Sequence, residues 1–391
     1  MNSFRRFLPS SLIVCCLLAT LPALADNWPT YRHDLARSGA SGEQLTFPLS
    51  LGWTYVPAQL PRPAWPEPGR ELHRLAFDYA FDTISAEGMA FFGSSADHTV
   101  RAMDLATGQQ RWSFPTSGPI RFAPSYADGR LYIASDDGRL YCVQAASGDL
   151  LWSFQGGPSN ELVMGNEQLV SRWPMRSGVG VENGVVYVCS GMWPNEGVYL
   201  TALRATDGEV VWRSDAGGID YKAQPHPGSN SLLGVSAQGY LAGHPGQLAI
   251  PTGRNVPAIF NRDNGQLHYY RSAPDGWGNR WGGTWNMFQD GLLIGWRNYH
   301  VPDANVVIGE GKPDPKRDGL VSFDSKTGKR GRELAGKLRA VVADGRMYAS
   351  GAGSVSAYDF AKWKAGTSPA QCQLWSVPRG RTYALIAGGS T

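Results

Sequence analysis

Cysteine, charge and long apolar runs are the three things this chain has little of. Cys15 and Cys16 fall in an N-terminal apolar run, and Cys142, Cys189 and Cys372 stand far apart. No CxxC or CxxCH motif is present to hold zinc or covalent haem. The three distant thiols read as small buried residues on strands, or as one disulfide with a thiol left over. Charge is sparse and almost balanced, with 36 Lys and Arg against 33 Asp and Glu and a net of +3. That leaves no basic stripe of the kind nucleic acid requires. The apolar run Leu12 to Leu21 is shorter than the roughly 20 residues of a membrane-spanning helix. With Arg5 and Arg6 before it and Ala23-Leu24-Ala25 before Asp26, it reads as a secretory signal peptide over residues 1–25. Export to the periplasm or the cell exterior is therefore expected, with no transmembrane span once the leader is removed. Lipidation at Cys15 is a poorer match, because Val14 is not small.

Other chemical signatures are missing too. Gly282-Gly283 and Gly351-Ala-Gly353 lack the strand-to-helix context of a phosphate loop. His73, His226, His244, His268 and His300 lack metal-ligand spacing. The mixed-charge run from Asp303 to Asp318 reads as a solvated loop, with a calcium contact as the alternative.

Against these absences stand 48 Gly, 26 Pro and 11% aromatics in 391 residues, a composition for many short strands joined by turns. Residues 89–152 write one pattern twice. Met89-Ala-Phe-Phe-Gly93, Val100-Arg-Ala-Met-Asp104 and Thr107-Gly108 leading to Trp112 are followed by Arg130-Leu-Tyr-Ile-Ala134, Arg139-Leu-Tyr-Cys-Val143 and Ser147-Gly148 leading to Trp152. The offset is 40 residues, both from Gly108 to Gly148 and from Trp112 to Trp152. A small-residue strand ending in Glu87-Gly88 or Asp128-Gly129 precedes each copy, and the acidic-Gly pair supplies the left-handed residues of a tight hairpin. Four strands in about 40 residues is the arithmetic of a β-propeller blade.

The fold class predicted is therefore all-β, a propeller of four-stranded antiparallel blades. Looser copies continue the pattern through Val185 to Trp212, Gln247 to Tyr269, Leu292 to Gly328 and Arg346 to Trp375. The spacing from Gly148 to Gly208 is 60, so about 20 residues, including Glu161 to Arg172, are inserted in the third blade. The domain reading is a signal peptide at 1–25, an N-terminal extension at 26–50 and the propeller at 51–391. Leu49 to Pro57 matches the end of a repeat and is expected to form an outer fourth strand. Arg381 to Gly389 reads as a seventh inner strand. Seven or eight blades are expected and about six are complete, so the propeller is expected to be truncated at its C-terminal side.

The recurring strand, Asp, Thr-Gly and Trp resemble the PQQ-type (pyrroloquinoline-quinone) repeat, found in quinoprotein dehydrogenases and in an eight-bladed bacterial outer-membrane assembly lipoprotein. Trp28-Pro-Thr-Tyr-Arg32-His-Asp34 with Arg37-Ser-Gly39 also resembles the opening of exported bacterial propellers of this kind. The resemblance implies PQQ and calcium as cofactors of the dehydrogenase branch, where adjacent cysteines and a tryptophan sandwich the quinone. No adjacent cysteines remain in the mature chain, so neither cofactor is expected. The function expected is binding or scaffolding as a monomer, toward an envelope protein, a glycan or a small anionic ligand. A periplasmic PQQ-dependent oxidoreductase is the alternative.

Two groups of residues are candidates for binding. The insertions and loops carry Arg172, Trp173, Trp193, His226 and Arg254, a set suited to an anion or a sugar. Aligned on the turn glycine, Arg121, Arg176, Lys337 and Arg381 each stand seven residues before the residue that precedes it. The register predicts a ring of cations at the axial mouth, with outward-turned or locally paired side chains as the competing arrangement.

Overall fold

Six four-stranded antiparallel sheets, each in simple sequence order, build the body of the protein. The computed structural model describes residues 26–65, 77–215, 220–223, 230–253, 255–270, 283–297, 319–351, 353–380, 382 and 384–389. The first blade comprises Thr83–Ala86, Met89–Gly93, Thr99–Asp104 and Gln110–Pro115, and the second Ser125–Ala127, Arg130–Ala134, Arg139–Gln144 and Leu150–Gln155. Blades three to six begin at Gly180–Glu182, Ala242–His244, Met287–Gln289 and Arg339–Ala343. The repeat read from the sequence is thus the structural unit, and the protein is a β-propeller.

The hairpins form where the turn chemistry puts them. Glu87-Gly88, Asp128-Gly129, Asn183-Gly184, Asp290-Gly291 and Asp344-Gly345 all have positive φ at both residues, as the two-residue turn between twisted strands requires. The second and third strands of each blade alternate toward the neighbouring blades and are nearly sealed; Phe91, Val100, Leu131, Leu140, Val186 and Leu200 are all fully buried. Cys142, Cys189 and Cys372 are buried and free, which settles the thiols as small core residues.

Successive blades lock together through one repeated contact. Trp112 of the first blade lies over Gly148 of the second, and Trp152 lies over Gly208 of the third; a Cβ on Gly148 would come within 2.8 Å of the Trp112 ring. The indole N–H of Trp112 donates to Ala145 O at 2.9 Å, and that of Trp152 to Ala205 O at 3.3 Å. The Thr-Gly or Ser-Gly turn is therefore both a bend and a socket, since only glycine lets the indole approach so closely.

The N-terminal residues depart from expectation. Residues 49–57 form no strand, although Trp53 occupies the outer-strand tryptophan position: its indole donates to Leu105 O at 2.8 Å and covers Gly108. The repeat-like sequence was sufficient to seat the tryptophan, but no described strand lies beside residues 49–57 to pair their backbone. Residues 26–50, expected as an extension, run instead into the centre of the ring. Trp28 bridges Ser85 of the first blade. Pro29 O accepts from Tyr126 N of the second, Leu35 O from Gly243 N of the fourth and Ala36 O from Phe288 N of the fifth. Ala40–Ser41 then pairs in parallel with Ala387–Gly388, the described part of the seventh inner strand. Thus residues 28–41 are a plug that laces the inner strands together.

Candidate functional site

Two arginines make the plug hold. Arg37 is completely buried and donates to Leu241 O at 2.8 Å, Thr30 Oγ1 at 2.8 Å, Tyr31 O at 2.9 Å and Val179 O at 3.1 Å. Arg32 donates to Arg37 O and to Ala340 O of the sixth blade, and lies 4.6 Å from the centre of the Trp285 ring. Burial pushes both guanidinium values down to about 10, still far above neutrality, so both remain charged. Arg32, His33 and Arg37 have φ of 56°, 76° and 63°. These left-handed conformations are unfavourable for side-chain-bearing residues and persist because so many bonds determine them.

Beside the plug, the rings of Tyr31 and Tyr240 stack at 3.6 Å with only 7° between their planes. Tyr240 accepts a hydrogen bond from Ala123 N at 2.7 Å and donates one to Asp82 Oδ2 at 2.6 Å. Burial pushes the Asp82 carboxyl up to about 6, even though the tyrosine hydrogen bond opposes the shift, and it lifts Tyr31 to about 12. Since Asp82 has a higher value folded than its ordinary 3.8, its contribution to stability is complete below about pH 3.8 and is lost as pH rises to about 6. That loss amounts to about 3 kcal/mol. We expect Asp82→Asn, which keeps an acceptor for Tyr240, to gain stability relative to wild type across this window and to show a constant difference above it. Parallel urea-unfolding curves from pH 4 to 7 would show that Asp82 does not titrate in this way.

Beyond Tyr240 lies a second charged cluster, the place where the sequence register put its cations. Arg121 donates to Asp136 at 2.5 Å and to Asp78 at 2.6 Å, and Arg176 reaches the same Asp136 oxygen at 3.3 Å. All four side chains are buried. Burial alone would lower the Arg121 value, but attraction to Asp136 and Asp78 outweighs it and the net shift is upward. Arg176, with one distant partner, is lowered by burial, and burial also raises Asp78 despite Arg121. Arg176 Nε and Nη1, Asp136 Oδ1 and Gln238 Oε1 are buried and have no hydrogen-bond partner among the described residues.

The ring of four cations does not assemble. Arg121 and Arg176 meet at Asp136, but Lys337 turns back into its own blade, with Nζ at 2.7 Å from Ser354 Oγ and 2.9 Å from Ser356 Oγ. Arg381 lies outside the described residues, as do His226 and Arg254. Arg121 and Arg176 are held instead by Asp78 and Asp136, which supply equal and opposite charge. These four side chains are consequently neutral in sum.

The loop candidates come together in a different place. The insertion forms a hairpin, Leu162–Gly165 with Gln168–Ser171. It reaches over the first blade, where Gln168 meets His98 Nε2 at 2.8 Å, and Asn166 donates to Pro63 O at 2.8 Å. Arg172 pairs with Glu161 at 2.9 Å and Glu196 at 3.3 Å and lies over the Trp173 ring. Trp173 is buried, with its indole N–H on Glu196 O at 2.7 Å. Trp193 is 45% exposed and meets Trp65 edge to face. Sequence reasoning thus found the loop aromatics but missed Arg32, Arg37, Asp78, Asp82, Asp136 and Tyr240. Only the Tyr31-Arg32 and Arg37-Ser-Gly39 segments carried a signal that could have found any of them.

The quinone sandwich implied by the repeat has no counterpart here. The described cysteines sit singly in blades two, three and six, and the plug and the Tyr31–Tyr240 pair fill the axis with the chain's own side chains. Among the described residues, no three His, Cys, Asp or Glu are grouped to hold a metal. The described residues do not fit the cofactor.

A plugged propeller of Trp-and-Gly-locked blades defines the class as a PQQ-like repeat protein. The chain belongs to the family described as outer membrane protein assembly factor BamB, whose pattern matches residues 96–362. It is similar to the dehydrogenase subunit of the quinone alcohol dehydrogenase of Komagataeibacter europaeus, with 26% identity over 147 residues, covering 34% of this chain and 19% of that protein. It is also similar to the serine/threonine-protein kinase AfsK of Streptomyces griseus, with 31% identity over 124 residues, 30% of this chain and 13% of that one. The matched stretches are thus 19% and 13% of the lengths of these relatives. Among solved structures, BamB from Moraxella catarrhalis is similar with a TM-score of 0.47 at 14% identity, covering 77% of this chain and 75% of that one. The quinohemoprotein alcohol dehydrogenase from Comamonas testosteroni is similar with a TM-score of 0.46 at 14% identity, covering 93% and 74%. Among the described residues, no helix is long and apolar enough to cross a membrane.

Proposed function

We propose that this protein is an exported envelope propeller that acts as a binding scaffold for another protein, through the loop face built by the hairpin at 162–171. The observation that carries this reading is the exposure of a large apolar surface on that hairpin: Met164 is 71% and Leu169 58% exposed, with Leu162, Val163 and Trp193 also open to solvent. Exposed Met, Leu and Trp rimmed by paired charges such as Arg172–Glu161 match the composition of protein–protein interfaces. A glycan or small-anion reading draws less support, because Arg121 and Arg176 already meet carboxylates and Lys337 meets hydroxyls of its own blade. The misfit of the quinone to the axis weighs against the oxidoreductase reading.

The test is capture of partners from envelope extract by cross-linking, comparing wild type with the double variant Met164→Asp, Leu169→Asp. Both positions are on the exposed hairpin, so melting should be unchanged while the specific cross-linked species falls at least tenfold. Unchanged capture would remove the hairpin from the interface. Dye reduction by an alcohol or sugar after adding PQQ and calcium would replace the scaffold reading with the oxidoreductase one.

A further inference from the structure

Four buried polar atoms remain over at the axis once the arginine cluster has made its bonds. Arg121 uses both Asp136 and Asp78, and Arg176 turns Nη2 to Asp136 Oδ2. Arg176 Nε and Nη1, Asp136 Oδ1 and Gln238 Oε1 meet no hydrogen-bonding atom among the described residues. Arg176, Asp136 and Gln238 are 3%, 1% and 2% exposed, so bulk solvent is not at hand to pair them. Buried polar groups are almost always paired, because an unpaired one carries its desolvation cost in full.

The backbone brings these residues to one level. Gln238 stands seven residues before Pro245 of the Pro245-Gly246 turn, the position that Arg121 and Arg176 hold in their own blades. There the inner strands of blades three and four run side by side. Ser177–Gly178 pairs in parallel with Gly239–Tyr240, and Gly239 N donates to Arg176 O at 3.2 Å. Gln238 is thus the neighbour of Arg176 across the pair. Two residues on, Tyr240 lies against Tyr31 of the plug, and the period of two puts Gln238 on that same axial side. Arg176 and Gln238 therefore belong to the layer next to the tyrosine stack, and Asp136 is joined to it through the Arg176 guanidinium. A strap, residues 62–65, runs against the cluster. Arg62 O accepts from Arg121 Nη1 at 2.7 Å, and Ala64 N donates to Asp78 Oδ2 at 2.7 Å.

We propose that Arg176, Asp136 and Gln238 bind a small neutral polyol of about the size of one sugar ring, recognised through a pair of adjacent hydroxyls. A hydroxyl both donates and accepts. Two of them accept from the Nε and Nη1 hydrogens of Arg176 while donating to Asp136 Oδ1 and Gln238 Oε1, so all four atoms are matched. An anion answers only the two donors and sets its charge against both acceptors. A cation answers only the acceptors and faces two guanidiniums. Since Arg121, Arg176, Asp78 and Asp136 sum to zero charge, neither kind of ion gains a net attraction from them. A few placed polar groups in an enclosed setting are what small-molecule recognition uses, and the strap favours a free molecule over a glycan chain. The site is separate from the face at 162–171 and does not rest on the scaffold reading.

Calorimetric titration of the intact protein with glucose, ribose and myo-inositol provides the test. Calorimetry is preferred to melting curves because concentrated polyols stabilise folded proteins without any site. At least one of the three should bind saturably and one to one. Its affinity should fall at least tenfold for Gln238→Leu, which keeps all four charges in place and whose folding is checked by circular dichroism. A second arm needs no variant protein: at least one monodeoxy analogue of the polyol that binds should also be at least tenfold weaker. No saturable heat with any of the three, or equal binding by wild type and folded Gln238→Leu, would overturn the proposal. Saturable binding of acetate or phosphate that displaces the polyol would also overturn it, by making the site one for anions.

Discussion

Arg37→Ala is expected to cost about 3–5 kcal/mol in urea-induced unfolding, although the residue lies in a segment that reads as an N-terminal extension. The guanidinium is fully buried and reaches carbonyls from the third and fourth blades as well as the plug's own backbone. Truncation leaves Leu241 O and Tyr31 O in a dry interior without their donor, and a buried acceptor stripped of its partner carries its whole desolvation cost. Arg37→Lys should recover only part of the loss, because one ammonium cannot reach carbonyls that lie on different sides of a planar fork. Hydrogen exchange should localise the damage to the inner strands. By contrast, Arg111→Ala, which breaks an exposed pair with Asp104, should leave the unfolding curve almost in place. If Arg37→Ala behaved like Arg111→Ala, the plug would be an accessory rather than a part of the fold.

The second large effect belongs to Asp136→Ala. One carboxylate oxygen serves both Arg121 and Arg176, at 2.5 and 3.3 Å, so its removal leaves two buried cations with only Asp78 of the cluster to balance them. Breaking a buried ion pair from one side costs about 3–5 kcal/mol because the remaining charge is uncompensated. Arg176→Met in the Asp136→Ala background should restore part of that stability by removing one of the stranded charges. The double-mutant cycle should therefore show a coupling well above the roughly 0.5 kcal/mol expected of independent sites. Additive effects would mean that Arg121, with Asp78 at 2.6 Å, carries the cluster without Arg176.

These two sites divide what was legible from what was not. The blades were readable because their determinants are local. The acidic-Gly turns need left-handed residues at fixed places, the strands alternate with period two, and the Trp-to-Gly spacing repeats at 40 residues between the first two blades. The buried pair at 121 and 176 was readable only as a register. Alignment put both arginines at one level, but it could not show that Asp136 from a strand-connecting turn and Asp78 from the entry to blade one would neutralise them. Lys337 illustrates the limit: it has the same register as Arg121, but among the described residues its ammonium meets the hydroxyls of Ser354 and Ser356 and no carboxylate.

The N-terminal segment marks the sharpest boundary. Its composition, with Pro29, Gly39 and alternating polar residues, carries no strand or helix period, so nothing local distinguishes a plug from an extension. Arg32 and Ala340 are 308 positions apart in the chain, and Arg37 and Leu241 are 204 apart. The sequence by itself determined the blade, its turns and the glycine sockets that join one blade to the next, because each depends on backbone conformations accessible to particular residues. Tertiary structure alone decided that residues 28–41 fill the axis and that Arg121 and Arg176 meet Asp78 and Asp136, because each requires strands from distant repeats to be brought around the ring before a carbonyl or a carboxylate can meet the side chain that needs it.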